Sequence, residues 1–178
     1  YADVSPVVIN RLPNNEGLSN SSVNVIYQDS NNLMWFGTWD GLNLYNSREF
    51  KTFKPNPNVP GNITNNIIRD IIETTKGRLW ITTDNGINLY TPEAMRFQSF
   101  FYDNKENSIF KERSFLICKN SHNKVIASVY NTGLYYFDEE LSDFILIRNL
   151  KETSLKKLFF DKDDNLWLGL FQKGIVLI

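Results

Sequence analysis

The chain has 178 residues, enough for one sizeable domain, with 19 basic and 20 acidic side chains and no basic run of the kind that marks a nucleic-acid surface. Aromatics at 14% favour β-structure over a helical bundle, and the single cysteine, Cys118, excludes an internal disulfide. No stretch approaches the roughly 20 apolar residues that span a bilayer, so the sequence reads as a soluble piece, and one lacking an initiator Met or signal peptide, as a processed or excised chain would.

Taken in order, residues 1–6 read as a lead-in, 7–12 as a short strand and 13–17 as a loop. Four strokes follow: strand a over 22–29, strand b over 33–38, strand c over 41–46 and strand d over 50–54. Asp40-Gly41 between two apolar runs marks a tight hairpin, because such a turn needs residues that tolerate positive φ. Residues 55–61, with Pro55, Pro57 and Pro60, cannot continue a sheet and form a link. The plan recurs over 66–73, 78–83, 86–91 and 97–101. Trp35 maps on Trp80, Gly41 on Gly86, Asn43 on Asn88 and Tyr45 on Tyr90, all at one offset. A third unit follows over 113–119, 124–130, 133–138 and 144–147. Aligning Gly133 with Gly86 places Ala127 at its tryptophan position. In the fourth unit, Asp161 to Gly169 matches Asp29 to Gly37, an extra residue precedes Gly174, and strand d is missing.

Four strands in about 40 to 47 residues is the period of a β-propeller blade. No sustained 3.6-residue stripe supports a helical solenoid. The expected fold is all-β, with blades as four-stranded antiparallel meanders at 18–54, 62–101, 108–147 and, incomplete, 154–178, and with 7–12 as a closing strand. Leu42/Leu44, Ile87/Leu89, Leu134/Tyr136 and Ile175/Leu177 alternate as pleated strands must. Trp35, Trp80 and Trp167 are expected as buried plugs between blades, each covering roughly 150 to 250 Å². Trp39 is expected to be exposed.

Leu18-Ser19-Asn20-Ser21-Ser22-Val23, Ile26-Tyr27-Gln28-Asp29, Leu33-Met34-Trp35-Phe36-Gly37-Thr38 and Asp40-Gly41-Leu42 together resemble the two-component regulator propeller repeat. The resemblance covers residues 7–178 and is strongest in units one, two and four; unit three departs at Ala127 and at Asn131-Thr132. It implies the periplasmic sensor half of a hybrid two-component system, as found in polysaccharide-degrading gut bacteria. Such sensors have two seven-bladed propellers, an immunoglobulin-like domain, a membrane helix, a histidine kinase and a DNA-binding regulator. On that likeness the chain holds about four blades of the first, seven-bladed propeller and is a non-catalytic, signal-transduction segment of an inner-membrane receptor. Membrane and nucleic-acid contacts would belong to parts outside this chain, and no cofactor is implied.

Few residues suggest catalysis. Asp161, Asp163 and Asn165 have the spacing that opens a calcium loop, but Leu166 and Gln172 stand where that loop needs glycine and glutamate, so a polar turn is the better reading. His122 is the only histidine and has no second histidine with which to build a typical metal site. Cys118, four residues before it, tempts a thiol–imidazole reading, but on strand a it is expected to face the core. There is no phosphate-cradling glycine loop and no nucleophile elbow.

In a four-stranded meander the d–a loops and the b–c turns emerge on one face. That face would collect Asn20, Ser21, Asn65 and Asn66 with Trp39, Asp40, Asp84, Asn85, Tyr130, Asn131, Phe171, Gln172 and Lys173. Aromatics among amides and carboxylates suit sugars, which offer apolar ring faces and a rim of hydroxyls. Ordinary turn packing, or a contact to another domain, is the competing reading. Three functions stay open: an oligosaccharide-sensing segment, an interaction scaffold without a small ligand, and a propeller lyase similar to streptogramin-inactivating enzymes. A lyase should place a histidine among acids near the channel, and a lone turn histidine argues against it. Finally, residues 174–178 would leave an apolar edge that invites another strand. It could take 7–12 of the same chain, 7–12 of a second copy, or further blades of the same receptor. Sevenfold geometry argues against a closed four-blade ring, so self-association through the end blades is expected, with a fifth blade as the native neighbour.

Overall fold

A computed structural model of the chain describes residues 17–101, 115–150 and 154–178. The expected strand at 7–12, the lead-in and the start of the third unit lie outside the described residues. Within them are fifteen strands and one short 3-10 turn, Thr75–Gly77. Blade one is β1 (Val23–Gln28), β2 (Met34–Thr38), β3 (Gly41–Tyr45) and β4 (Phe50–Phe53). Blade two is β5 (Ile68–Glu73), β6 (Leu79–Thr83), β7 (Gly86–Thr91) and β8 (Arg96–Phe100). Blade three is β9 (Phe115–Lys119), β10 (Val125–Val129), β11 (Gly133–Asp138) and β12 (Asp143–Asn149). Blade four is β13 (Leu155–Phe160), β14 (Leu166–Leu170) and β15 (Gly174–Leu177). Each is an antiparallel meander in sequence order, three of four strands and the last of three.

The first strands adjoin in chain order, β5 beside β1, β9 beside β5 and β13 beside β9. They form the inner wall of an arc of propeller blades. The end of each blade that carries b–c turns and d–a loops is called the upper face below, and the opposite end the lower face.

Packing between blades follows from the strand period, because alternate residues of every strand face the preceding or the following blade. Trp35 packs with Tyr27 and Leu44 against Ile68, Ile71, Leu79, Ile81 and Tyr90 of blade two. Its ring meets Tyr90 edge-on at 5.2 Å. Trp80 repeats this against blade three, with Phe137 at 4.6 Å and Phe144 at 5.5 Å. Gly37 marks the closest approach of blades one and two: a methyl group there would lie 2.5 Å from Val25 and 2.6 Å from Ile68.

Two expectations need correction. The residue that does the tryptophan's work in blade three is Ile126, not Ala127. Ile126 pairs with Cys118 and Tyr136 and packs towards blade four, whereas Ala127 faces back into the core shared with blade two. The alignment slipped by one because the b–c turn of blade three has three residues, Tyr130 to Thr132, where that of blade two has only Asp84 and Asn85. Trp167, expected to be buried, is half-buried. It shares its side of blade four with Phe159 and Leu177, and no further described sheet covers that side.

The lower face is held by one repeated device. Asp29 Oδ1 accepts the N–H groups of Asn31 and Leu33, and its Oδ2 accepts the indole N–H of Trp35 at 2.8 Å. Asp161 does the same for Asp163, Asn165 and Trp167. Blade three has no indole to bind, and there Asn120 closes the turn through Oδ1 alone, accepting from His122 and Lys124. Blade two has Thr74 at this place, and the buried indole nitrogen of Trp80 has no hydrogen-bond partner among the described residues. The indole N–H and the Asn165 amide hold the Asp161 carboxyl down at about 2.

Trp80→Ala should cost on the order of 3 to 5 kcal/mol, the usual range for emptying an aromatic site in a core; equal denaturation midpoints for variant and parent would contradict the packing between blades two and three. Asp161 has its native pKa depressed, so its stabilising contribution is present above the ordinary carboxylate value near 3.9 and is lost as pH falls towards about 2. Thermal melts of Asp161→Asn should therefore show a shallower loss of stability between those limits than melts of the parent.

Candidate functional site

The upper face is built from the b–c turns and the loops that enter each blade. In blade one, Ser19 N–H donates to Asn43 Oδ1 at 3.0 Å, Asn43 Nδ2 donates back to Ser19 Oγ at 2.8 Å, and Ser19 Oγ lies 3.1 Å from the Thr38 hydroxyl. Thr38 in turn bonds the Gly41 carbonyl and accepts from the Asp40 N–H, which fixes the hairpin turn. Blade two repeats every bond with Thr64, Asn88, Thr83, Gly86 and Asn85. Asn43 and Asn88 are fully buried, so these closed loops of donors and acceptors are what make them tolerable in a core. The register sets Tyr135 and Val176 at this place in blades three and four.

This scaffold places the first residue of each b–c turn. Those residues are Trp39, Asp84, Tyr130 and Phe171. In three blades the turn residue is anchored by a backbone bond to the entering loop: Trp39 to Ser22, Asp84 to Ile67 and Phe171 to Ser154. The three aromatic side chains carry no such duty and stand out from the face, 50%, 42% and 53% exposed for Trp39, Tyr130 and Phe171. Trp39 thus stands exposed, as its turn position implied.

The remaining candidates divide by what already holds them. Asp40 is paired with Lys54 at 2.6 Å, and Asp84 takes a two-point bond from the Arg69 guanidinium. Asn65 caps the loop by accepting the Ile67 N–H, and the Asn66 carbonyl accepts the N–H of Gly41 in the preceding blade. Asn20 likewise accepts the Ser22 N–H, and Ser21 is exposed beside it. Asn131 and Gln172 hold positive φ, of 54° each, within the longer turns of blades three and four. Gln172 and Lys173 are exposed beside Phe171.

Sequence reasoning missed Arg69 and Lys156. Strand a carries a bulge in blades one, two and four, between Val23 and Val25, between Ile68 and Asp70, and between Leu155 and Lys157. A bulge inserts an unpaired residue and re-aims its side chain. The inserted residues are Asn24, Arg69 and Lys156. Asn24 Nδ2 bonds the Ile68 carbonyl across to blade two at 2.8 Å. Arg69 lies over the Trp39 ring at 5.3 Å, and Lys156 over the Phe171 ring at 5.0 Å. The signal available in sequence was the shared position of these three residues just inside strand a, but the bulge that turns them towards the aromatic rim is not written in any single residue.

The lower face holds the other residues that tempted a chemical reading. Ser121 Oγ donates to Asp164 Oδ2 at 2.7 Å, and His122 Nδ1 lies 3.1 Å from both Ser121 Oγ and that same carboxylate oxygen. A Ser–His–Asp relay needs the imidazole between the hydroxyl and the carboxylate, using both ring nitrogens. Here the hydroxyl reaches the carboxylate directly, so the cluster clamps blade three to blade four, as Ser30 on Glu73 clamps blade one to blade two. The Ser121 N–H and hydroxyl keep the Asp164 carboxyl below its ordinary range. Cys118 packs among the side chains between blades three and four, and burial pushes its thiol up to about 12, which keeps it out of the thiolate form. Asp161 spends both carboxylate oxygens on its turn and on Trp167. Among the described residues, a concavity of about 260 Å³ sits in the proline loop that enters blade two, beside Val59, Thr64 and Ser99, and another of about 580 Å³ lies between Arg78, Lys124 and Glu140 on the lower face.

The family model for the two-component regulator propeller matches residues 17–40 and 62–85, the two segments that run from an entering loop to the b–c turn in blades one and two. No curated protein matches the sequence. Among solved structures, the chain is similar to the extracellular domain of a hybrid two-component system from B. thetaiotaomicron, at 24% identity and a TM-score of 0.79, over 97% of this chain and 25% of that one. A second such domain from the same organism matches at 19% identity and a TM-score of 0.71, over 89% of this chain and 21% of that one. Virginiamycin B lyase from Staphylococcus aureus matches at 18% identity and a TM-score of 0.59, over 86% of this chain and 54% of that one. The chain therefore spans about a quarter of the length of the extracellular domains it matches. At these identities the likenesses bear on the fold. The chain has the fold of a β-propeller segment, and its residues 17–40 and 62–85 match the two-component regulator propeller repeat.

Proposed function

We propose that this chain is part of the extracytoplasmic, periplasmic sensing domain of a hybrid two-component receptor, that it is itself non-catalytic, and that its upper face contacts an oligosaccharide. The receptor's kinase and membrane anchor would be carried by other parts of the protein. The two-component regulator repeats and the likeness to extracellular domains of such systems support the receptor reading. One observation carries the ligand reading: the same turn position in three of the four blades holds an exposed aromatic side chain, and at two of them, Trp39 and Phe171, a backbone bond to the entering loop holds the turn residue. Trp39, Tyr130 and Phe171 thereby offer flat apolar surfaces on one face. Ser21, Asn65 and Gln172 add hydrogen-bonding groups suited to hydroxyls at their rim.

A glycan screen on the chain and on the complete sensor domain tests this, followed by calorimetry on the best ligand. Trp39→Ala should weaken that ligand on the order of tenfold, the equivalent of about 1.4 kcal/mol, and leave the melting temperature unchanged, because half of the ring already faces solvent. Unchanged affinity would assign Trp39 to turn packing alone.

A further inference from the structure

Resting on the oligosaccharide reading, we infer that the blade-four end of the upper face selects a sugar that carries an anionic group, a carboxylate or a sulfate ester, through Lys156 beside Phe171.

The argument starts from a pairing that occurs twice. Each of two exposed turn aromatics has a cation laid against it from a strand-a bulge, Arg69 on Trp39 and Lys156 on Phe171. The two cations differ in what neutralises them. The Arg69 guanidinium is bound at two points by Asp84, so the Trp39 platform presents an already balanced charge. Lys156 has no carboxylate partner among the described residues, and neither has Lys173, two residues after Phe171. An aromatic ring more than half exposed, with an unbalanced ammonium against it and a second one near by, can hold a pyranose by its apolar face and a charged substituent by its edge. Charge-assisted hydrogen bonds of ammonium to carboxylate or sulfate are stronger than those to a hydroxyl. The Trp39 end, by contrast, suits a neutral residue of the same chain of sugars. An oligosaccharide with an acidic unit at one end and neutral units at the other would match the order of the two platforms.

The test uses calorimetry at low salt with three probes: a galacturonic acid trisaccharide, the same trisaccharide with its carboxyls reduced to alcohols, and a sulfated disaccharide. The uronate or the sulfated probe should bind on the order of tenfold more tightly than the reduced one. That margin should shrink at high salt, as an exposed ionic contact does. Lys156→Gln should remove the margin without lowering the melting temperature, since the side chain is exposed. Preference for the sulfated over the uronate probe would name the ester as the anion. Equal affinity for acidic and reduced probes would overturn the anion inference and leave the oligosaccharide reading standing. No binding by any glycan, in this test and in the screen, would overturn both.

Discussion

Everything in this chain depends on the contact between consecutive blades. A lone four-stranded meander has two apolar sides and cannot bury either by itself. Trp35, Trp80 and Ile126 occupy the centre of the side that faces the next blade, and the cores gather around them. At about 25 cal/mol per Å², a buried tryptophan of roughly 150 to 250 Å² stabilises its contact by about 4 to 6 kcal/mol before entropy is counted. Such a contribution explains why the repeat keeps a large side chain at this position and a small one, Gly37, Thr82, Ser128 or Gly169, two residues on. At Gly37 the neighbouring strand leaves no room even for a methyl group.

The polar bonds take their meaning from that packing. Blades one and two tie the entering loop, strand b and strand c together through Asn43 and Asn88, and the family model matches in those same two blades. Blades three and four have Tyr135 and Val176 in place of the asparagines and longer b–c turns. Without the staple, the turn is free to accept an extra residue. The divergence of the later blades from the repeat is thus a local change in how one loop is held, while the strand plan and the packing direction persist.

Much of the fold was legible because its signal is periodic. The Asp-Gly and Asn-Gly turns, the alternation in strand c and the repeat offset fix strands whose ends agree with the described ones to within two residues. The errors share one cause. Position in a repeat was read as environment, yet environment depends on the neighbour. Trp167 matches Trp35 in sequence and in its Asp161 bond, but it lacks a following described sheet and so is only half-buried. Ala127 inherited a role from glycine counting that the longer turn assigns to Ile126. The exposed aromatics were readable as turn residues. Their cationic neighbours were not, since Arg69 and Lys156 depend on a bulge that no residue type announces.

The division between the faces follows from where side chains are already committed. On the lower face, Asp29 and Asp161 spend their two oxygens on their own turns and on the indoles of Trp35 and Trp167, and Ser30 with Glu73 and Ser121 with Asp164 bridge blades. Replacing any of them removes a bond that the blade contacts use. On the upper face, the turn's first residue is held through its backbone in blades one, two and four, so its side chain can change without cost to the hairpin. That freedom is visible across the four blades as Trp39, Asp84, Tyr130 and Phe171. A repeat protein that must keep one fold while varying what it recognises has such positions available only where structure asks nothing of the side chain. Here they lie together, on one face.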